Sequence, residues 1–457
     1  MNRVTKRTWL MLVFIGILLL GMVLFMGEYA LKARKWVIFQ GSPHVYNNAN
    51  IGLGTLTDRD GEVLLDIKDQ RTYAENEITR KSTLHWLGDR KGYINAAAVT
   101  NYAAEMSGFD LINGLYSANG TGGKMELTLS ARVQNAALKA MNGQKGTIGV
   151  YNYKTGEILC AVTTPTFDPD KVPDINADTT GAYEGVYLNR FIQSAYVPGS
   201  IFKVVTTAAA LDSVPGIEEM TFRCYGKLEY GTEAVTCETA HGTQTLKQAL
   251  RNSCNCVYAQ VAESIGKQNM VSYVKKFGIT DPISFDGITT AKGHYDVSAA
   301  APVSFAWSCI GQYNDLVNPA RFMTFMGAIG GGGSAAEPYL VSRVYGGGEV
   351  NYEAKTRKTD KLMSAEVAMT LAQYMRNNVS SGYGDWNFPG LKVCAKTGTS
   401  ELGGGQRSNA MFAGFVQDEA YPLAFIVVVE NGGYGSHTCV PILSKVLSEC
   451  KLVMDGK

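Results

Sequence analysis

The hydrophobic rhythm of the chain changes abruptly along its length. Residues 9–27 carry no charge and are dominated by Leu, Met, Val, Ile and Phe. About 19 such residues at 1.5 Å rise just cross a hydrocarbon core of about 30 Å. A cleaved signal peptide has a shorter apolar stretch followed by a small-x-small site, and Glu28, Tyr29, Ala30, Leu31 and Lys32 offer none. The expectation is a retained transmembrane helix at 9–27 behind a tail of residues 1–8. Arg3, Lys6 and Arg7 precede the span while Lys32, Arg34 and Lys35 follow it, so the positive-inside count leaves its orientation open. No later window is uncharged for the length of a second span.

Beyond the anchor the periods shorten. Residues 54–57 and 62–67 flank Asp58, Arg59, Asp60 and Gly61, which predicts two strands around a turn. Helical spacing runs over 94–106 and 130–141, with a loop at Gly120 to Gly123 between them, and a hairpin is expected from 147–151 and 157–162. Further helices are expected near 201–212, 245–252, 256–265 and 320–329, and strands at 392–397, 410–416 and 423–430. Helices bunched in the middle with strands at the end predict an α+β fold, an antiparallel sheet packed against a helical cluster.

Composition removes whole classes of function. Among 457 residues, 42 Lys plus Arg balance 41 Asp plus Glu, which leaves no electrostatic footprint for nucleic acid. With 46% hydrophobic residues the chain is not disordered, and nine Cys are too few for a disulfide scaffold.

Chemistry is concentrated at 198–211, where apolar residues occupy nearly every helical face and Lys203 is the one charge. A lysine in a buried helix costs several kcal/mol unless it is paired, neutralised or used. Desolvation, then the positive end of the helix dipole, would lower its pKa. Ser200 lies three positions earlier, on the same face, and a hydroxyl beside such an amine is an activated nucleophile. The plain alternative is a Ser cap with a snorkelling Lys; SxxK also occurs at Ser264, Ser272 and Ser448, in none of which the lysine sits in so apolar a helix. An SxN triplet, Ser253, Cys254 and Asn255, and a KTG triplet, Lys396, Thr397 and Gly398, follow. Each recurs once elsewhere, at Ser117 and Lys154, but the order SxxK, SxN, KTG has a single solution: Ser200, Ser253 and Lys396.

On these motifs the chain resembles the penicillin-binding proteins, the serine D,D-transpeptidase superfamily, of the short class B type. The resemblance extends to Leu188, Asn189 and Arg190 ahead of Tyr196 to Ser200, to Thr155 through Leu159, to Thr166 through Pro169, to Gly311 and Gln312 before Asn318 and Pro319, and to Asp58 through Gly61. It departs at Tyr313, Asn314 and Asp315, where the family more often has Gly and apolar residues. The likeness implies a five-stranded antiparallel sheet flanked by helices, an all-helical subdomain, and a small N-terminal module at 28–145 ahead of a transpeptidase domain at 146–457. A bifunctional class A enzyme is not expected at this length.

The resemblance also implies roles. Ser200 would attack the penultimate carbonyl of a peptidoglycan stem ending in D-Ala-D-Ala after Lys203 takes its proton. Ser253 would relay a proton to the leaving amine, Asn255 would hold the substrate amide and Lys203, and Lys396 would attract the substrate carboxylate. Thr397 and Thr399 would bind that carboxylate, and Gly398 would let the substrate lie against the strand. Penicillins and other β-lactams would acylate Ser200 and stay attached, because the Glu-bearing deacylation loop of class A β-lactamases has no counterpart between the SxN and KTG elements. Lipid-linked precursors and a polymerising glycosyltransferase are the implied partners, and the catalytic domain would lie outside the membrane. A D,D-carboxypeptidase or endopeptidase shares the same motifs, and a non-catalytic β-lactam-binding scaffold or sensor is the reading from another class.

No cofactor is expected. Cys224 and Cys237 close a small loop, for which a disulfide and two free thiols stand as alternatives. A zinc reading adds His241 four residues after Cys237 but lacks a fourth ligand, Cys254 and Cys256 being read as packing residues. The five His form no metal cluster and no Ser-His-Asp triad.

Overall fold

The computed structural model describes residues 2–36, 53–67, 70–107, 122–401, 403 and 405–457. Its first element is the helix Asn2–Trp36, exposed over nearly its whole described length. Among the described residues it is the one helix long and apolar enough to cross a membrane, which fits a single-pass anchor.

Two sheets organise the rest. The larger core is a five-stranded antiparallel sheet in the order Val393–Ser400, Asn409–Val416, Leu423–Val429, Gly146–Asn152, Ile158–Thr164. The strands Asn409–Val416 and Leu423–Val429 read as nearly continuous apolar runs because both faces are covered, and a period of two sorts the side chains between them. Ala410, Phe412 and Val416 lie on the face covered by the helix Gly435–Met454, with Ala131–Met141 packed beside it over the Ile158–Thr164 strand. Met411, Ala413 and Phe415 meet Pro319–Gly330 on the other. The helices Lys203–Ser213, Leu246–Arg251, Asn255–Ile265, Lys267–Lys276 and Pro302–Ser308 form the helical cluster beside it.

The second sheet has six strands, ordered Glu349–Glu353, Val341–Gly346, Gly123–Leu127, Gly54–Thr57, Val63–Ile67, Arg71–Tyr73. Its first hairpin comes from far along the chain, so the sheet draws on residues from both sides of position 145. Helix Ala131–Met141 likewise packs against Ile158–Thr164 and the C-terminal helix. Gly123 begins a strand where the sequence suggested a loop, and Gly120, with the SxN triplet at Ser117, lies outside the described residues.

Several motif residues prove to be fasteners. Buried Asp58 accepts from the backbone N–H of Asp60, Glu62 and Ala131 at 2.9, 2.8 and 3.0 Å, closing the first turn and tying it to the following helix. Arg80 makes a bidentate pair with buried Asp168, both bonds 2.7 Å, and this holds helix Glu77–Leu87 to the loop after the Ile158–Thr164 strand. Arg190 Nε and Tyr196 Oη both donate to Glu430 Oε1, at 2.8 and 2.9 Å. Asn318 caps Pro319–Gly330 and donates to the carbonyls of Ile192 and Ser194 at 3.1 and 2.8 Å. The approach to Ser200 is thereby anchored on the sheet and on the helix behind it.

Candidate active site

Ser200 lies in a 3-10 turn, Gly199–Phe202, that runs straight into the helix beginning at Lys203. Every residue from Lys203 to Ala210 is buried, as the all-round apolar pattern requires. The turn is wedged between the strand Val393–Ser400 and the Gly311, Gln312 corner. Gly199 takes φ +54°, and a Cβ there would stand 2.5 Å from the Thr399 carbonyl oxygen. Gly199 N–H donates to the Gly311 carbonyl at 2.8 Å, while Gln312 Nε2 donates to the Thr399 carbonyl at 3.1 Å.

All three motifs meet in one network. Lys203 is fully buried, and its Nζ lies 3.0 Å from Ser200 Oγ and 3.1 Å from Ser253 Oγ. It donates to the Ser253 carbonyl at 2.6 Å and to Asn255 Oδ1 at 2.7 Å. Lys396, also fully buried, donates to the same Ser253 Oγ at 3.1 Å and to the Thr397 carbonyl at 2.8 Å. Ser253 is therefore the bridge between two lysines, and it holds φ +53°, a left-handed conformation rare outside glycine. Asn255 turns its other amide atom away, Nδ2 donating to the Thr236 carbonyl at 2.8 Å.

Burial dominates the electrostatics. Desolvation, reinforced by the charge of Lys396, holds the Lys203 amine well below the usual lysine range. Desolvation alone brings Lys396 down to about 7. The Tyr258 ring lies 5.5 Å from Lys203 Nζ and adds a favourable face for any residual positive charge.

These groups open onto a groove of about 540 Å³ lined by Ser200, Ser253, Asn255, Thr397 and Thr399, with Trp307, Gln312 and Tyr434 on its walls. Gly398 is absent from that lining. A Cβ on it would stand 2.9 Å from the Pro198 carbonyl oxygen and 3.0 Å from Ile201 Cγ2. The missing side chain of Gly398 thus also lets the strand approach the nucleophile turn. Tyr383, which no motif announced, fixes Thr397: it accepts from the Thr397 N–H at 3.1 Å, and the two hydroxyls lie 2.9 Å apart. Trp307, Tyr434 and Tyr383 come from elements without local signatures, so only their placement in the fold reveals them. Lys154, the rival KTG, sits in the turn of a hairpin and pairs with Glu419.

All nine cysteines are free thiols, so the Cys224–Cys237 disulfide does not form here. The fourth ligand missing from the Cys224, Cys237, His241 reading is present: Cys254, read as packing, joins them. The turn after Leu246–Arg251 carries it there, a long-range placement that spacing does not reveal.

The model of the penicillin binding protein transpeptidase domain matches residues 146–448. The chain is 27% identical over 346 residues to the peptidoglycan D,D-transpeptidase PbpA of Mycobacterium tuberculosis, covering 68% of each chain. It is 27% identical over 356 residues to the stage V sporulation protein D of Bacillus subtilis, covering 71% of this chain and 53% of that one. A D,D-transpeptidase domain from Eggerthella lenta superposes with a TM-score of 0.76 at 25% identity, over 89% of this chain and 100% of that one. Penicillin-binding protein A of Mycobacterium tuberculosis in its penicillin G acyl-enzyme complex has the same fold, with a TM-score of 0.73 at 22% identity, over 88% and 99% of the two chains. The chain belongs to the penicillin-binding protein transpeptidase family, and its relatives are those of class B.

Proposed function

We propose that the chain is a membrane-anchored peptidoglycan D,D-transpeptidase that crosslinks stem peptides through a Ser200 acyl-enzyme and is inhibited by β-lactams. The observation that carries this is the fully buried Lys203 amine 3.0 Å from Ser200 Oγ. As a neutral amine Lys203 has two N–H donors, which the Ser253 carbonyl and Asn255 Oδ1 accept at the two shortest distances. Its lone pair is then free to accept the Ser200 proton.

Attack of Ser200 Oγ on the penultimate carbonyl moves that proton to Lys203. The oxyanion faces the backbone N–H groups of Ser200 and Thr399. Collapse breaks the amide; Lys203 returns its proton through Ser253 Oγ to the departing D-Ala amine, leaving an ester on Ser200. An amine from a neighbouring stem attacks that ester and passes its proton through Ser253 Oγ to Lys203; the bond to Ser200 Oγ breaks, and Lys203 returns the proton to Ser200. Lys396, with Thr397 and Thr399, holds the terminal carboxylate of the substrate, whose negative charge would raise the Lys396 pKa and favour its charged form. Crosslinking consumes glycan strands, so a polymerising glycosyltransferase acting on lipid-linked precursors must supply its substrate. Peptidoglycan lies outside the membrane, which puts the folded domains outside and residues 1–8 in the cytoplasm.

Gel labelling with a fluorescent penicillin, wild type against Ser200→Ala, tests the reading. A labelled wild type and an unlabelled variant are expected; an unlabelled wild type, or equal labelling, would remove it. Release of a D-amino-acid exchange product rather than plain hydrolysis then separates transfer from carboxypeptidase action.

A further inference from the structure

Beside the lysine network, four side chains that the chemistry above does not use converge on one point. Cys224 ends the strand Thr221–Cys224, Cys237 follows Glu233–Thr236, His241 precedes Gly242–Thr245, and Cys254 sits between Ser253 and Asn255. Their ligand atoms all lie within 4.8 Å of one another.

Two edges of this cluster are diagnostic. Cys237 Sγ and Cys254 Sγ are 3.7 Å apart, and Cys224 Sγ is 3.6 Å from His241 Nδ1. A disulfide needs about 2.05 Å between sulfurs. A tetrahedral ion with metal–sulfur bonds of about 2.3 Å and metal–nitrogen bonds of about 2.0 Å spaces its ligands about 3.8 Å apart for S···S and about 3.5 Å for S···N. Both edges match the tetrahedron.

Backbone donors point the same way. Gly226 N–H donates to Cys224 Sγ at 3.4 Å and Cys256 N–H to Cys237 Sγ at 3.3 Å. The second donor belongs to the first turn of Asn255–Ile265, whose dipole favours negative charge on the sulfur. Thiolate and imidazole ligands without oxygen suit zinc rather than magnesium or calcium, and four protein ligands close the coordination sphere.

We propose that Cys224, Cys237, His241 and Cys254 bind one structural zinc ion that braces the Ser253–Asn255 turn of the active site. Cys254 is bonded to Ser253, which keeps its left-handed φ, and Asn255 holds the Thr236 carbonyl next to Cys237. The ion therefore ties together, from both sides, the turn that presents Ser253 and Asn255 to Lys203. Binding takes the cysteines as thiolates and blocks disulfide formation among them.

The test is zinc content, by inductively coupled plasma mass spectrometry, of the full chain purified in detergent without reductant or chelator. One zinc per chain is expected. Cys224→Ser, Cys254→Ser and His241→Ala should each fall below about 0.2 zinc per chain, while His241→Cys, which restores four ligands, should retain it. Cys450→Ala, in the C-terminal helix, should retain it too, and thermal melting checks that each variant folds. Cobalt substitution should give the intense visible bands of tetrahedral thiolate coordination. A wild type without zinc after incubation with zinc chloride, a disulfide among the four cysteines in non-reducing peptide maps, or unchanged zinc in all three ligand variants would overturn the site. Chelation should slow penicillin acylation at least about tenfold, reversibly on adding zinc; an unchanged rate after verified zinc loss would overturn the bracing role. That last readout rests on the transpeptidase reading, but the zinc count stands even if no penicillin reacts.

Discussion

Two fully buried lysines beside one serine should cost stability, and Lys396→Met exposes the cost. Lowering Lys396 from its ordinary 10.5 to about 7 corresponds to about 5 kcal/mol, at about 1.4 kcal/mol per tenfold change. Methionine removes that penalty but also the hydrogen bonds to Ser253 Oγ and the Thr397 carbonyl, each worth about 1 kcal/mol. The variant should therefore be more stable by about 3 kcal/mol near pH 6.5, a melting-temperature rise of about 3–6 °C for a chain of this size. The sign with pH follows from linkage. Because the folded pKa is depressed, the unfolded chain binds an extra proton between about pH 7 and 10.5, so wild-type stability rises with pH across that window. The penalty is full at and below pH 7, and by pH 9.5 it has shrunk to about 1.4 kcal/mol, leaving the two proteins nearly equal. Scanning fluorimetry of both full chains in detergent at pH 6.5 and 9.5 reads the difference. A variant less stable than wild type at pH 6.5, or an advantage that fails to shrink at pH 9.5, would refute the reasoning.

Other expectations are equally direct. Lys203→Ala should reduce the second-order rate of penicillin acylation by about 10²–10⁴, measured by stopped flow, with the melting temperature unchanged or raised. Gly398→Ala puts a Cβ 2.9 Å from the Pro198 carbonyl oxygen; it should slow acylation at least about tenfold by moving the strand off the nucleophile turn, and an unchanged rate would show that the turn has room to yield. Arg80→Ala breaks a buried pair and strands Asp168, which should lower stability by about 3–5 kcal/mol in denaturant melts while folded protein still acylates. Protease added to intact spheroplasts should digest the folded domains and spare an N-terminal tag, which tests the orientation.

The site was legible in the sequence for a physical reason. One charge in an otherwise apolar helix demands an explanation, and Ser200 three residues earlier supplied it; requiring SxN and KTG in order then fixed Ser253 and Lys396. The central strands were legible because a run buried on both faces stays apolar throughout, as in Asn409–Val416 and Leu423–Val429. The hairpin Val341–Gly346 with Glu349–Glu353 was missed, since its partner strand Gly123–Leu127 lies more than two hundred residues away and no local pattern records that pairing. The helix Gly435–Met454 opens on a glycine and contains Pro441, signals that ordinarily argue against a helix. The convergence of Cys254 with Cys224, Cys237 and His241, and the close approach of Gly398 to the Pro198 turn, were not legible, because these contacts exist only once the chain is folded.

The most direct test of the central claim is the pH dependence of the acylation rate constant for a chromogenic cephalosporin. With Lys203 neutral and Lys396 charged in the reactive form, the rate should already be near its maximum close to neutrality, fall in acid as Lys203 gains a proton, and fall above about pH 7 as Lys396 loses its own. A rate that climbs steadily to about pH 10, as an ordinary lysine amine would dictate, would contradict the account.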